Sequence, residues 1–97
     1  MPIFVKTEII KKEFIENKIL KKKFIDKHVL WIKQLKEAGV KVKSGFLVDE
    51  SKNPGAGGLL IYEAKNYKDA LKIIQDDPMI KNKIVEWQLN EWIDISL

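Results

Sequence analysis

Hydrophobic and polar residues alternate with a period of two near both ends of this chain and with a helical period between. Ile3, Val5, Thr7 and Ile9 fall on one side of the first segment and Phe4, Lys6, Glu8 and Ile10 on the other, which predicts a strand from Ile3 to Ile10. A helical pattern follows as far as Ala38, and Gly39 stands where a helix end favours a residue that tolerates positive φ. Val40 to Val48, β-branched and bulky between turn signals, reads as a second strand, with Gly45 marking a bulge or a close backbone approach. The polar, glycine-rich stretch Asp49 to Gly58 reads as a mobile hairpin connection, and Leu59 to Ala64 as the third strand. Asn66, with an acid three residues on at Asp69, opens a second helix through Gln75 that turns Ala70, Leu71 and Ile74 inward. Pro78 stops it, and Ile84 to Ile93 alternates again as the fourth strand.

Strand, helix, strand, strand, helix, strand with right-handed crossovers closes into an α+β, ferredoxin-like βαββαβ fold. Its four-stranded antiparallel sheet carries both helices on one face, and residues 1–97 are expected to make one domain. The other face is left bare. Phe4 and Ile10, Leu59 and Ile61, and Trp87 and Trp92 put apolar groups on both sides of the sheet, so the uncovered face is expected to pair with a second copy.

Composition narrows the function classes. The chain is 45% hydrophobic and 33% charged, in the range of a globular protein. No apolar run approaches the roughly 20 residues that span a bilayer, and the first residues lack a signal peptide's basic start and apolar stretch. Without cysteine there is no disulfide framework, thiolate nucleophile or iron–sulfur cluster, and a cytoplasmic location is expected. The net charge of +4 comes from lysine alone, with no arginine among the 18 basic residues. Phosphate and guanine recognition lean on arginine's planar fork, so the charge argues against nucleic acid as a partner. The cluster Lys18, Lys21, Lys22, Lys23 and Lys27, interleaved with Ile19, Leu20, Phe24 and Ile25, reads as the solvated back of a helix. One histidine and no cysteine make a poor metal site even with Asp76 and Asp77 nearby, so neither metal nor cofactor is expected.

At about 100° per residue, Phe24, Trp31, Ile32 and Leu35 share a narrow arc with His28 at its centre, so the sole histidine points toward the sheet. There it is either a core histidine tied to a carbonyl or a general acid or base. Asp77, held out of helical conformation by Pro78, is suited to cap a short following helix.

The order of motifs resembles the YCII-related (YciI-like) family. A helix carrying His28 and ending Leu35-Lys36-Glu37-Ala38-Gly39 is followed by Ser44-Gly45 and then by Asn53-Pro54-Gly55-Ala56-Gly57-Gly58. The helix Asn66-Tyr67-Lys68-Asp69-Ala70-Leu71, the step Asp76-Asp77-Pro78-Met79 and the strand Val85-Glu86-Trp87 complete the match. The resemblance implies a dimeric α/β barrel in which His28 and Asp77 form an active-site pair. Asp77 would orient the imidazole while His28 moves a proton in lyase-like or isomerase-like chemistry on a small organic molecule. Ser44, Gly45, Phe46 and Trp31 are expected to line the substrate cleft, Phe46 standing where relatives carry a proline. The alternative is a ligand-binding or interaction module in which the pair only braces helix against sheet.

Overall fold

The computed structural model describes residues 1–96; the domain limit expected at Leu97 lies outside the described residues. Strand β1 (Ile3–Ile10) is followed by helices α1 (Lys12–Ile15) and α2 (Lys18–Glu37), then by β2 (Val42–Val48) and β3 (Pro54–Glu63). Helices α3 (Tyr67–Ile74) and α4 (Pro78–Lys81) and strand β4 (Val85–Trp92) complete the order. The strands form one antiparallel sheet in the order β2-β3-β1-β4, the ferredoxin-like arrangement, with β2 and β4 at its edges.

Local chemistry sets the element boundaries. Asn17 breaks the helical pattern that the lysine-rich stretch would otherwise continue, and its side chain accepts the Leu20 N–H at 3.0 Å to start α2. At the other end Gly39, at φ +89°, donates to the Lys36 carbonyl while Val40 donates to that of Leu35, a Schellman closure. Asn66 caps α3 by accepting the Asp69 N–H at 2.9 Å.

The structure departs most from the sequence reading around β3 and Gly45, and it splits the first helical stretch into α1 and α2. The strand β3 begins at Pro54 rather than Leu59, so the second half of the glycine-rich stretch is sheet and the true turn spans only a few residues after Val48. There the Asp49 carboxylate accepts the N–H groups of Ser51 and Asn53. The close backbone approach expected at Gly45 occurs at Gly57: a Cβ there would lie 2.4 Å from the Glu8 carbonyl oxygen, whereas one at Gly45 meets nothing within 4 Å. The register irregularity falls between Phe46 and Val48.

Pairing Phe4 with Tyr62, and Lys6 with Leu60 and Leu89, defines the face beneath the helices. One core cluster joins Phe4, Leu60, Tyr62 and Leu89 to Trp31, Ile32, Ala70 and Ile74; a second joins Phe24, Met79, Ile84 and Val85, with Trp87 against both. The buried Tyr62 hydroxyl donates to the Ala70 carbonyl at 2.6 Å, tying β3 to α3, and burial followed by the nearby Tyr67 pushes its acidity well below that of a free phenol. Phe4, Ile10 and Trp87 therefore belong to the covered face. The bare face carries Ile3, Val5, Ile9, Leu59, Ile61 and Trp92 among Thr7, Gln88 and Asn90, a more mixed surface than the sequence suggested. Among the described residues no helix is long and apolar enough to cross a membrane.

Candidate active site

Between the two apolar clusters lies a line of polar side chains contributed by four separate elements. On β1, Lys6 and Glu8 sit between Phe4 and Ile10; on α2, His28 sits between Phe24 and Trp31. The third contributor is the step into α4. Extended backbone at Asp77 (φ −62°, ψ 121°), imposed by the following proline, turns its side chain back to accept the Met79 N–H at 3.0 Å. The fourth is Ser44 on the edge strand β2.

His28 Nδ1 lies 2.9 Å from Asp77 Oδ1, and His28 Nε2 lies 3.0 Å from Ser44 Oγ. The Lys6 ammonium, fully buried, donates to Asp77 Oδ2 at 2.9 Å and to Glu8 Oε1 at 3.0 Å. Asp77 is itself fully buried. Burial pushes its carboxyl up, but the His28 hydrogen bond and the charge of Lys6 outweigh this and hold it below the usual carboxylate range. An ionised Asp77 can only accept, so it fixes the proton on His28 Nδ1 and leaves Nε2 of the neutral ring to accept from the Ser44 hydroxyl. Glu8 Oε2 is buried and finds no hydrogen-bond partner among the described residues.

Exposure along this line is graded. The His28 side chain keeps 13% of its surface and Ser44 is exposed, while Phe46, two residues along the same face of β2, is 70% exposed. Solvent therefore reaches the Ser44 end of the line, and the Lys6 end is sealed. Two shallow surface hollows, of about 390 and 480 Å³, are lined by other residues, among them Val40 and Lys41, and include none of His28, Ser44 or Asp77.

Of the residues singled out from the sequence, the fold thus brings together His28, Asp77 and Ser44. Phe46 stands beside them, Gly45 points to the opposite face of the sheet, and Trp31 is buried with its ring 5.6 Å from the imidazole, backing it rather than facing solvent. Sequence reasoning missed Lys6 and Glu8. The signal was present, since a Lys and a Glu share the side of β1 occupied by Phe4 and Ile10, and charges in register with core residues need partners. No three His, Cys, Asp or Glu side chains converge among the described residues as metal ligands would; Asp76 is exposed while Asp77 is buried.

The family model of the YCII-related domain matches residues 9–93. A search of curated proteins found no match. Among solved structures, 5-chloro-2-hydroxyhydroquinone dehydrochlorinase from Burkholderia phenoliruptrix, in complex with 2,5-dihydroxybenzoquinone, is similar with a TM-score of 0.72 and 16% identity, over 94% of this chain and 93% of that one. An ethyl tert-butyl ether d (EthD) family protein from Bacillus halodurans gives a TM-score of 0.56 and 10% identity, over 96% of this chain and 100% of that one. A dimeric ferredoxin-like protein from an uncultured marine organism gives 0.52 and 11%, over 100% and 99%. At these identities the structural likeness is one of fold.

Proposed function

The chain belongs to the YCII-related domain family, and on that premise we propose that it is a small enzyme that uses His28 as a general acid and base, oriented by Asp77, on a small organic molecule bound beside Ser44 and Phe46. The reaction class is lyase-like or isomerase-like: His28 Nε2 takes a proton from one atom of the substrate and returns it to another or to a leaving group. The observation that carries this reading is the 2.9 Å contact between the partly exposed imidazole and a buried carboxylate. When the ring takes up a proton, the buried set Glu8, Lys6, Asp77 and His28 becomes two anions with two cations, so the transferred charge is balanced inside the domain.

The similar dehydrochlorinase, which holds a dihydroxybenzoquinone, makes hydroxylated rings the first compounds to try. Because the chain has a single histidine, its ring signals in an NMR spectrum are unambiguous. Adding 2,5-dihydroxybenzoquinone or a related phenol should shift them saturably, and His28→Asn should lower turnover of any accepted substrate by about 10²–10⁴ while the fold persists. A panel of such rings that leaves the His28 signals unmoved removes the support for this substrate class.

A second reading draws on the Met79 N–H and Lys6 bonds of Asp77, which give that residue a structural task of its own. If the pair only braces α2 against α4, His28→Asn lowers the melting temperature and leaves ligand binding unchanged. For the assembly we propose a homodimer through the bare sheet face, where Val5, Leu59, Ile61 and Trp92 form an apolar centre with polar groups along β4.

A further inference from the structure

We infer that Ser44 is a nucleophile, and that the chain reacts covalently with small activated acyl compounds, aryl esters and strained lactones in particular. This goes beyond proton transfer by His28 and rests on a separate geometric fact: Ser44 Oγ, His28 and Asp77 form an unbroken line of contacts of 3.0 and 2.9 Å. That is the arrangement by which a serine hydroxyl, inert on its own, is activated, with a base at its oxygen and a buried carboxylate that fixes the tautomer of the base. The pattern is recognised by geometry and role, whatever the chain order of its members.

Each member has the exposure its part requires. Asp77 is sealed and held ionised by the Lys6 ammonium, His28 shows only an edge, and Ser44 is open to solvent at the place where an acyl group would arrive. The exposed ring of Phe46, on the same face of the same strand, offers an apolar surface to an aryl group. Because β2 is an edge strand, alternate peptide N–H groups along Val42–Val48 face no neighbouring strand. Those N–H groups are donors available to a carbonyl oxygen as it becomes an oxyanion.

In the reaction, Ser44 Oγ bonds to the carbonyl carbon as its proton passes to His28 Nε2, and the carbonyl π electrons move onto oxygen. Collapse of the adduct breaks the bond to the leaving phenolate or alkoxide, which takes the proton from His28 and leaves acyl-Ser44. Water then adds to the same carbonyl, gives a proton to His28, and releases the acid as Ser44 regains its hydrogen.

Two probes test this on the full chain. Diisopropyl fluorophosphate should form one adduct per chain, an Oγ–P bond replacing P–F, located on the Ser44 peptide by mass spectrometry. p-Nitrophenyl acetate should release a burst of nitrophenolate matched by acetyl on the same peptide. The adduct should be absent in Ser44→Ala and should form at least about 100-fold more slowly in His28→Asn, which leaves Asp77, Lys6 and the α4 cap in place. Wild-type chain that stays unlabelled at Ser44, or labelling that proceeds at the same rate without His28, overturns the inference. The ligand-induced shift of the His28 signals is measured on unmodified wild type, so acid–base chemistry and the nucleophile fail or survive independently.

Discussion

Replacing Lys6 with Met tests the buried counter-charge directly, because Met keeps most of the apolar stem and removes only the ammonium. In the wild type that ammonium is fully buried and holds Asp77 Oδ2 at 2.9 Å and Glu8 Oε1 at 3.0 Å. Without it two carboxylates remain in a nearly dry seam, and stranding one member of a buried ion pair costs roughly 3–5 kcal/mol. The protein can escape by protonating an acid, which at pH 7 costs about 1.4 kcal/mol for each of the roughly three units above the ordinary carboxyl value, so the loss is capped near 4 kcal/mol. With roughly 2.1 cal/mol/K of unfolding entropy per residue over 97 residues, this lowers the melting temperature by about 15–20 °C. The cost also carries a pH signature. Asp77 is held below its ordinary value in the folded wild type, so its ionised form stabilises the fold at neutral pH, and that contribution fades as the pH falls from the ordinary value through the lowered one. In Lys6→Met, protonation at pH 4 is nearly free, and the deficit should shrink to about 1 kcal/mol. Urea titrations followed by tryptophan fluorescence at pH 7 and pH 4 measure both numbers. A deficit under about 1 kcal/mol at pH 7, or an equal deficit at both, refutes the counter-charge reasoning.

Other consequences are simpler to check. Gly57→Ala, which combines φ +99° with a Cβ driven onto the Glu8 carbonyl, should cost on the order of 2–3 kcal/mol in a urea titration, while Gly45→Ala stays within about 0.5. Asn66→Ala removes the α3 cap and should cost about 1 kcal/mol in the same assay. Ile61→Lys, which puts a charge on the bare sheet face, should convert a dimer to a monomer by sedimentation velocity without loss of far-ultraviolet ellipticity.

Strand β1 was legible to the residue because Ile3, Val5, Thr7 and Ile9 recur with a period of two, although that side is the bare one and the core side carries Lys6 and Glu8 between Phe4 and Ile10. The start of β3 was hidden because Gly55, Gly57 and Gly58 look like turn residues; two of them have positive φ, and Gly57 must let the Glu8 backbone close in, needs that a local reading takes for a loop. The division of α1 from α2 was hidden by the lysines, whose periodicity runs through Asn17 as though the helix did. At the site, helical phase alone turned His28 inward and Pro78 alone made Asp77 a cap, both local facts. Their 2.9 Å meeting, across 49 residues of chain, is tertiary, and only resemblance to a family suggested it. Lys6, 71 residues from its carboxylate, had no local partner beyond Glu8 to reveal its task.

The turn after Val48 divides the molecule in an unusual way. A cut there would leave Lys6, His28 and Ser44 on the first fragment and Asp77 on the second, whose strand β3 must slot between β2 and β1 of the first. Neither half alone would own a complete sheet or an ordered imidazole, so reactivity at Ser44 would appear only on reunion. Two proteins fused to the halves could then have their encounter read out as a chemical signal.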